Sequence, residues 1–192
     1  MKQLIYRAIM ATIILVVITG IAYPLAVTGI AQLVFKEKAD GSLMQKEGQI
    51  IGSKLIGQNF TRPEYFHPRP SAAGTEGYDA SASAGSNLGP TNAKLIEGIK
   101  SNIKKTLTDN PDINTQDIPV DLVTTSASGL DPHISPAAAF LQVPRVARAR
   151  QVKEETVKKL VDKYTEGRQF GVLGEPRVNV LLLNLALDKI SE

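Results

Sequence analysis

Residues 126–135 hold the side chains that most directly suggest catalysis, namely Asp131, His133, Ser126, Ser128 and Ser135. A serine hydrolase needs a nucleophilic hydroxyl, a histidine base within hydrogen-bond reach of it, and a carboxylate that orients the base. Closeness along the chain does not establish that geometry, and the sequence has no G-x-S-x-G turn to expose a nucleophilic serine. These residue types therefore permit, but do not predict, an esterase or a peptidase.

The two histidines, His67 and His133, raise the question of a metal site. Glu64 lies near the first and Asp131 near the second, so a metal would require two separate loops to converge. The chain has no cysteine, which excludes thiolate ligands and disulfide bonds. We therefore expect structural roles for both histidines and predict no metal site.

Two glycine-containing segments, residues 85–89 and 126–129, could present backbone N–H groups to an anion. Tight turns also require glycine, which explains both segments without a ligand. The chain has no phosphate loop of the G-x-x-x-x-G-K-[ST] form. Its net charge is only +3, with five Tyr and five Phe, so a nucleic-acid surface is not indicated.

The elements that position these residues begin with an apolar segment. Residues 8–35 carry no charged side chain, and Lys2 and Arg7 precede them. At about 1.5 Å per residue, a helix of this length crosses a hydrocarbon core roughly 30 Å thick. A cleaved signal peptide is the alternative, but its apolar region is only about 7–15 residues long. We predict a transmembrane anchor within residues 1–35, kinked at Pro24.

Small residues recur along this helix at positions Gly20, Ala22, Ala26 and Gly29, at spacings that place small side chains near one face. Small residues let helix backbones approach closely in lipid, although they are also common in membrane helices generally. The face is a candidate docking surface for another membrane protein.

Basic residues flank the apolar segment on both sides, so charge alone does not orient it. Long domains cross the membrane largely regardless of their charge. We therefore expect a single-pass protein of the cell inner (plasma) membrane, with a cytoplasmic N-terminus and an extracytoplasmic domain formed by residues 36–192.

That domain is predicted to be a single mixed α/β domain. Its N-terminal half should contain short strands within 48–60, a structured loop over 61–71, and a stretch of linker composition over 72–90. A helix capped by Thr91 or Asn92 and closed at Asn110 should follow, then a half-buried strand over 119–124. Ser135 and Pro136 should start a helix that ends or kinks at Pro144. A helix over about 151–164 and a central strand over 178–187 complete the prediction.

Six blocks of sequence resemble one family, the KdpC subunit of the Kdp potassium-transporting P-type ATPase of prokaryotes. The blocks are TGIAYP at 19–24, GSKLIGQNF at 52–60, YFHPRPS at 65–71, GSNLGPTN at 85–92, VTTSASGLDPHISP at 123–136 with RVAR at 145–148, and VNVLLLNLALD at 178–188. The blocks follow one another in order from residue 19 to residue 188, so the resemblance extends over nearly the whole chain.

The resemblance implies a non-catalytic accessory subunit without a cofactor of its own. Its partners would be an ATP-hydrolysing P-type subunit, a channel-like potassium-translocating subunit and a small fourth subunit, which would handle ATP and potassium. The family is described as a catalytic chaperone that raises the ATP affinity of the hydrolytic subunit. ATP is cytoplasmic, whereas the domain is expected outside, so an effect through linkage is easier to justify than contact.

Two sets of residues follow as site candidates. The resemblance likens Gln142 to a nucleotide-contacting glutamine, and Ser126, Ser128 and Gly129 are further candidates for a nucleotide-related site. The alternative for Gln142 is structural: its amide would bond to neighbouring backbone beside Pro144. An outward domain near a channel mouth could instead gate or concentrate potassium through Asp79, Asp121 and Asp131. A generic membrane-tethered envelope adaptor remains a further alternative.

Overall fold

The computed structural model describes residues 1–190 and separates by its internal contacts into a unit Met1–Ser53 and a unit from Lys54 onward. The sequence analysis divided the chain after residue 35 instead. The helices are α1 (Lys2–Val17), α2 (Tyr23–Val34), α3 (Lys36–Ala39), α4 (Ala93–Asp109), α5 (Pro136–Arg150), α6 (Glu154–Tyr164) and α7 (Val180–Asp188). The strands are β1 (Leu43–Lys46), β2 (Gln49–Ser53), β3 (His133–Ile134), β4 (Thr165–Glu166) and β5 (Arg177–Asn179).

The predicted apolar helix is confirmed as a continuous helical stretch, Lys2–Val34, with a mean hydropathy of 2.3 and no buried part. It is long and apolar enough to cross a membrane. A π-helical turn, Ile18–Ala22, separates α1 from α2 just before Pro24. Proline has no N–H to donate, so the helical ladder widens at this point instead of continuing unchanged.

The rest of the first unit is a two-stranded antiparallel hairpin in which Leu43 pairs with Ser53 and Lys46 with Gln49. Its turn places Glu47 and Gly48 at φ +53° and +78°, the left-handed region that two-residue hairpin turns use. The expectation of short strands within 48–60 holds only for β2, because residues 54–60 form no strand.

The second unit is mixed α/β, as predicted. Strand β5 is the middle strand of a three-stranded antiparallel sheet of order β3-β5-β4. Helices α5, α6 and α7 pack against β5, and α6 contacts both of the other helices. The core consists of fully buried apolar side chains from these elements and from one loop, including Phe66, Val143, Val157, Val178 and Leu183.

Helix α5 begins as predicted, since the Ser135 hydroxyl accepts a hydrogen bond from Ala138 N and Pro136 takes the first position. It does not end at Pro144 but continues to Arg150. One proline removes one intrahelical hydrogen bond, and the burial of Val143, Val146 and Ala147 holds the helix together on either side. Gln151 at φ +57° then ends it.

The expected central strand over 178–187 is wrong beyond its first residues. β5 ends at Asn179, whose side chain accepts a hydrogen bond from Leu182 N and so caps α7. The apolar run continues as a helix buried on nearly every side. A run that is apolar throughout has neither a period of 2 nor one of 3.6, so a strand and a buried helix look the same.

The half-buried strand expected over 119–124 is also wrong, because Val120–Leu122 is a turn of 3₁₀-helix that follows Pro119.

Residues 61–71 form the predicted structured loop without regular secondary structure. Residues 72–90 are irregular but tied to the domain: Ala84 N donates to Ser128 O, and Asn59 Nδ2 donates to Glu76 O. Helix α4 has the predicted cap, Asn92.

Candidate functional site

An irregular stretch of the second unit, residues 62–69, is held by hydrogen bonds from side chains, and we name it the clamped segment. Every backbone carbonyl from residue 63 to residue 67 accepts a hydrogen bond from a side chain. The donors are Arg145 Nη1 to Pro63 O (2.6 Å) and Tyr65 O (2.9 Å), Arg150 Nε to Glu64 O (2.7 Å), Asn184 Nδ2 to Phe66 O (3.0 Å) and Gln142 Nε2 to His67 O (3.1 Å). Side chains thus replace the partner strand that this stretch lacks.

Two buried amides hold successive residues of the clamped segment from different helices. Asn184 of α7 accepts from Phe66 N at 2.8 Å while donating to Phe66 O. Gln142 of α5 accepts from His67 N at 2.7 Å while donating to His67 O. Each amide pairs with both backbone groups of one residue, as a neighbouring strand would. Because both amides are at most 2 % exposed, loss of either leaves buried backbone groups unpaired.

Arg145, on α5, joins the clamped segment to a neighbouring side chain of its own helix and to the C-terminal end of α4. Its guanidinium also donates to Gln142 Oε1 at 2.6 Å and to Asn110 Oδ1 at 3.3 Å. Burial lowers the pKa of Arg145 to about 10, partly opposed by the charge of Asp109. The side chain therefore remains charged at neutral pH, and its donors are spread over neutral acceptors.

A cleft of about 260 Å³ lies beside the clamped segment, lined among others by His67, Arg69, Tyr78, Lys105 and Asp109. Two of its side chains have close partners: Arg69 Nη1 lies 3.2 Å from Asp131 Oδ2, and His67 Nδ1 lies 3.5 Å from Asp109 Oδ2. Burial, and then the neighbouring Arg145 charge, lower the pKa of His67 below its ordinary value. The cleft is polar, with charges of both signs.

Of the residues predicted to relate to nucleotide, Gln142 lines this cleft, whereas Ser126, Ser128 and Gly129 are not among its lining residues. The Gln142 amide is fully engaged: Oε1 accepts from His67 N and Arg145, and Nε2 donates to His67 O and Ala138 O. Apart from the bond from Arg145, these are hydrogen bonds to backbone groups, as the structural alternative for Gln142 predicts.

Residues 126–129 form a turn that uses its own serines. Ser126 Oγ accepts from Gly129 N and Ser128 Oγ accepts from Leu130 N, so both hydroxyls and the N–H of Gly129 are used within the turn itself. Gly129 has φ +67°, and a Cβ there would lie 2.6 Å from Ala84 O. Glycine is needed at this position for close backbone approach.

The three aspartates proposed for potassium are each engaged locally. Asp79 accepts from Ser81, and Asp121 accepts from Ser135 N and Oγ, next to the cap of α5. Asp131 accepts from Arg69 and from His133, and the Arg69 charge opposes a bound cation there. Nothing in these contacts brings the three carboxylates together.

The candidate triad residues have similar roles. His133 Nδ1 lies 3.2 Å from Asp131 Oδ1, while the hydroxyls of Ser126, Ser128 and Ser135 accept from backbone N–H groups. Within residues 1–190, no cluster of three or more His, Asp or Glu side chains could hold a metal ion.

The candidate docking face of the apolar helix requires a correction. Ala22, Ala26 and Gly29 are four and three residues apart and share a face. Gly20 stands two residues from Ala22, about 200° around an α-helix and roughly opposite in a π-helical turn as well. All four are exposed, and a Cβ on Gly29 would meet nothing within 4 Å.

The sequence analysis missed Asn184, Arg145 and Arg150 as the residues that order the clamped segment. A signal was present in one case. Asn184 is the polar residue inside the apolar run of α7, and a buried amide requires hydrogen-bond partners. No comparable signal identifies its partner, since Phe66 lies 118 residues earlier.

The fold and site define a class: a chain with one membrane-length N-terminal helix and a small α/β domain whose polar side chains chiefly order its own backbone. The chain belongs to the KdpC family, because the family model described as KdpC, the K⁺-transporting ATPase c chain, matches residues 5–189.

Proteins named potassium-transporting ATPase KdpC subunit are similar over nearly full length. The one from Dechloromonas aromatica is 55 % identical over 192 residues, covering 100 % of both chains. The one from Koribacter versatilis is 54 % identical over 98 % of this chain and 95 % of the relative. The one from Myxococcus xanthus is 58 % identical over 95 % of this chain and 86 % of the relative.

Proposed function

We propose that this chain is a non-catalytic accessory subunit of an ATP-driven potassium uptake complex, where it stabilises assembly and raises the ATP affinity of the ATP-hydrolysing subunit. The names of its relatives support membership of such a complex. The proposed partners are an ATP-hydrolysing, a channel-like and a small fourth subunit. The helix would cross the cell membrane once, with the N-terminus inside and the domain outside.

The observation that carries the assembly role is the complete exposure of the apolar helix. No residue of α1 or α2 is buried by the rest of the described chain, so lipid or other membrane helices must cover it. The face of Ala22, Ala26 and Gly29 allows close approach of a partner helix.

An effect on ATP affinity is best explained by linkage. The Gln142 amide has no free donor or acceptor, and in the 126–129 turn the N–H of Gly129 is already bonded to Ser126 Oγ. If the subunit binds the ATP-competent state of the complex more tightly than the other states, it shifts the population towards that state. Linkage also requires that ATP tighten binding of the subunit by the same factor.

Detergent co-purification tests the assembly role. Ala26→Leu adds bulk on the small face, whereas Gly20→Leu adds one carbon atom more on the other side and serves as a control. We expect Ala26→Leu to lower the yield of co-purified ATPase and channel subunits by about tenfold, and Gly20→Leu to leave it near wild type. Equal yields for both variants would contradict docking through this face.

Two binding measurements test the ATP role. Omission of the subunit should raise the ATP concentration needed for half-maximal hydrolysis, and a non-hydrolysable ATP analogue should slow release of the labelled subunit from the complex. The isolated chain should not bind the analogue. An unchanged ATP requirement would refute the chaperone role, and tight binding to the isolated chain would refute linkage as its mechanism.

A further inference from the structure

The connection between β4 and β5, residues 167–176, displays apolar side chains to solvent; we name it the tip loop. Phe170 is 92 % exposed, Val172 71 % and Leu173 57 %. They are three of the five most exposed large apolar side chains within residues 54–190. Single exposed apolar residues are ordinary, but three within four consecutive residues form a local apolar cluster.

The tip loop is held in one conformation by its own backbone. Gln169 N donates to Leu173 O at 2.8 Å, and Leu173 N donates back to Gln169 O at 2.9 Å. Phe170 and Gly171 occupy the left-handed region, at φ +53° and +76°. A non-glycine residue in that region is uncommon, and here it turns the Phe170 ring outward, away from the core. Because the loop is already ordered, little conformational entropy remains to be lost on binding.

The charged side chains around the tip loop neutralise one another. Arg168 Nη2 lies 2.7 Å from Glu175 Oε2, and Arg177 Nε lies 3.0 Å from Glu166 Oε2. Residues 165–178 contain no other charged side chain, so this hairpin has no net charge. Loops that bind anionic lipid rely on unpaired basic residues, which this hairpin does not have. An apolar centre with a neutral polar rim is instead typical of an anchor at a protein–protein interface.

The size of the cluster indicates what kind of interface it serves. Three such side chains bury on the order of 300–400 Å², against roughly 1,600 Å² for a stable independent interface. The tip loop is therefore too small to hold a second copy of this chain by itself. It suits a second contact in an assembly that another element already holds together.

We propose that the tip loop is an apolar anchor that inserts into a shallow apolar pocket on the extramembranous surface of another subunit of the complex. This inference rests on the proposed function, in which the membrane helix makes the first contact. The helix brings the partner near, and the tip loop then binds at high effective concentration and slows dissociation.

Dissociation from the detergent-solubilised complex tests the anchor. The triple variant F170S/V172S/L173S removes the apolar cluster, and Val120→Ser removes a side chain of 70 % exposure elsewhere in the unit as a control. We expect the triple variant to dissociate about tenfold faster and Val120→Ser to dissociate like wild type. Ala26→Leu should instead lower the co-purified yield by about tenfold at the assembly step, so failure of the anchor and failure of helix docking give different results. An unchanged dissociation rate for the triple variant overturns the anchor.

A single label identifies what covers the loop. Because the chain has no cysteine, Gln169→Cys can be spin-labelled specifically before assembly. In nanodiscs we expect the label to be mobile and water-accessible on the isolated chain, and immobilised and protected only after the other subunits are added. Contact with lipid on the isolated chain, or unchanged mobility in the complex, would overturn the proposal.

Discussion

The clamped segment and the tip loop are both irregular, and both contain residues that interrupt regular structure, yet they are ordered in opposite ways. The clamped segment receives its hydrogen bonds from side chains of α5 and α7, which lie 75 to 118 residues further along the chain. The tip loop makes its hydrogen bonds within itself. Because its hydrogen bonds are long-range, the clamped segment belongs to the core. Because its hydrogen bonds are local, the tip loop leaves its side chains free for a surface role. Substitutions in the first should therefore affect folding, and substitutions in the second should affect binding.

Asn184→Leu should show the largest effect. It keeps the approximate volume but leaves the buried N–H and C=O of Phe66 without partners, at about 1–3 kcal/mol for each group. We expect thermal unfolding of the full chain in detergent, followed by circular dichroism, to occur about 10 °C lower. Leu185→Ala, a truncation at the next and less buried position, should lower it by only a few degrees. Similar shifts for the two would show that the clamp adds little stability.

Arg145→Lys tests whether the clamp depends on geometry or only on charge. One ammonium group cannot reach acceptors on the clamped segment, α5 and Asn110 together, so we expect a loss of about 2–3 kcal/mol. Arg148→Lys, on the same helix but with a 66 % exposed side chain paired to Asp112, should be neutral within about 0.5 kcal/mol. Urea unfolding of both variants measures the difference, and equal stabilities would contradict the geometric account.

The pH dependence of stability should report His67. Burial and the Arg145 charge lower its pKa below the ordinary value of 6.5, so the folded state resists protonation more than the unfolded state does. The stability it contributes is fully present above that value and is lost as the pH falls through the folded pKa. We expect His67→Gln to reduce the decrease in unfolding temperature between about pH 7.5 and pH 5.5.

Asp79→Asn is the control for this prediction. Hydrogen bonds from the Ser81 side chain and backbone hold the pKa of Asp79 below its ordinary value, and they outweigh the opposite effect of desolvation. Its carboxyl therefore stays ionised across the tested range, and the variant should keep the wild-type slope. A wild-type slope for His67→Gln as well would contradict the role given to His67.

Phe170→Ser should show the smallest effect on folding. The side chain is 92 % exposed, and the bonds that order the tip loop are made by backbone groups. We expect the unfolding free energy of the isolated chain to change by less than about 0.5 kcal/mol. A larger loss would mean that the tip loop supports the core, and the contrast with the clamped segment would fail.

Local signals predicted much of the fold. Asn92 and Ser135 cap α4 and α5 where the sequence indicates, and the length and composition of the first helix were sufficient to identify it. The errors occurred where tertiary packing decides. Leu181 and Leu183 fit a strand or a buried helix equally well, and the Asn179 cap selects the helix. Of the two alternatives at Pro144, an end or a kink, the end is wrong, because α5 continues to Arg150 with buried residues on both sides of the proline.

The site was less predictable because its contacts are long-range. Gln142 was singled out through resemblance, but its bonds to His67 depend on a loop that no periodic pattern describes. Asp121 is a potassium candidate and Ser135 a candidate catalytic serine by residue type, whereas in the structure they bond to each other at the start of α5. Polar side chains near one another in sequence suggest ligand chemistry, but their contacts in the structure serve turns and helix caps.

The distance along the chain between the clamped segment and its donors also constrains biogenesis. Asn184 is synthesised 118 residues after Phe66, so the backbone groups of Phe66 have no partners from α7 until that helix has been made. If the domain crosses the membrane during synthesis, this stretch crosses as an open chain and completes its folding only on the far side. Truncation before α7 would thus prevent maturation of a stretch 118 residues upstream.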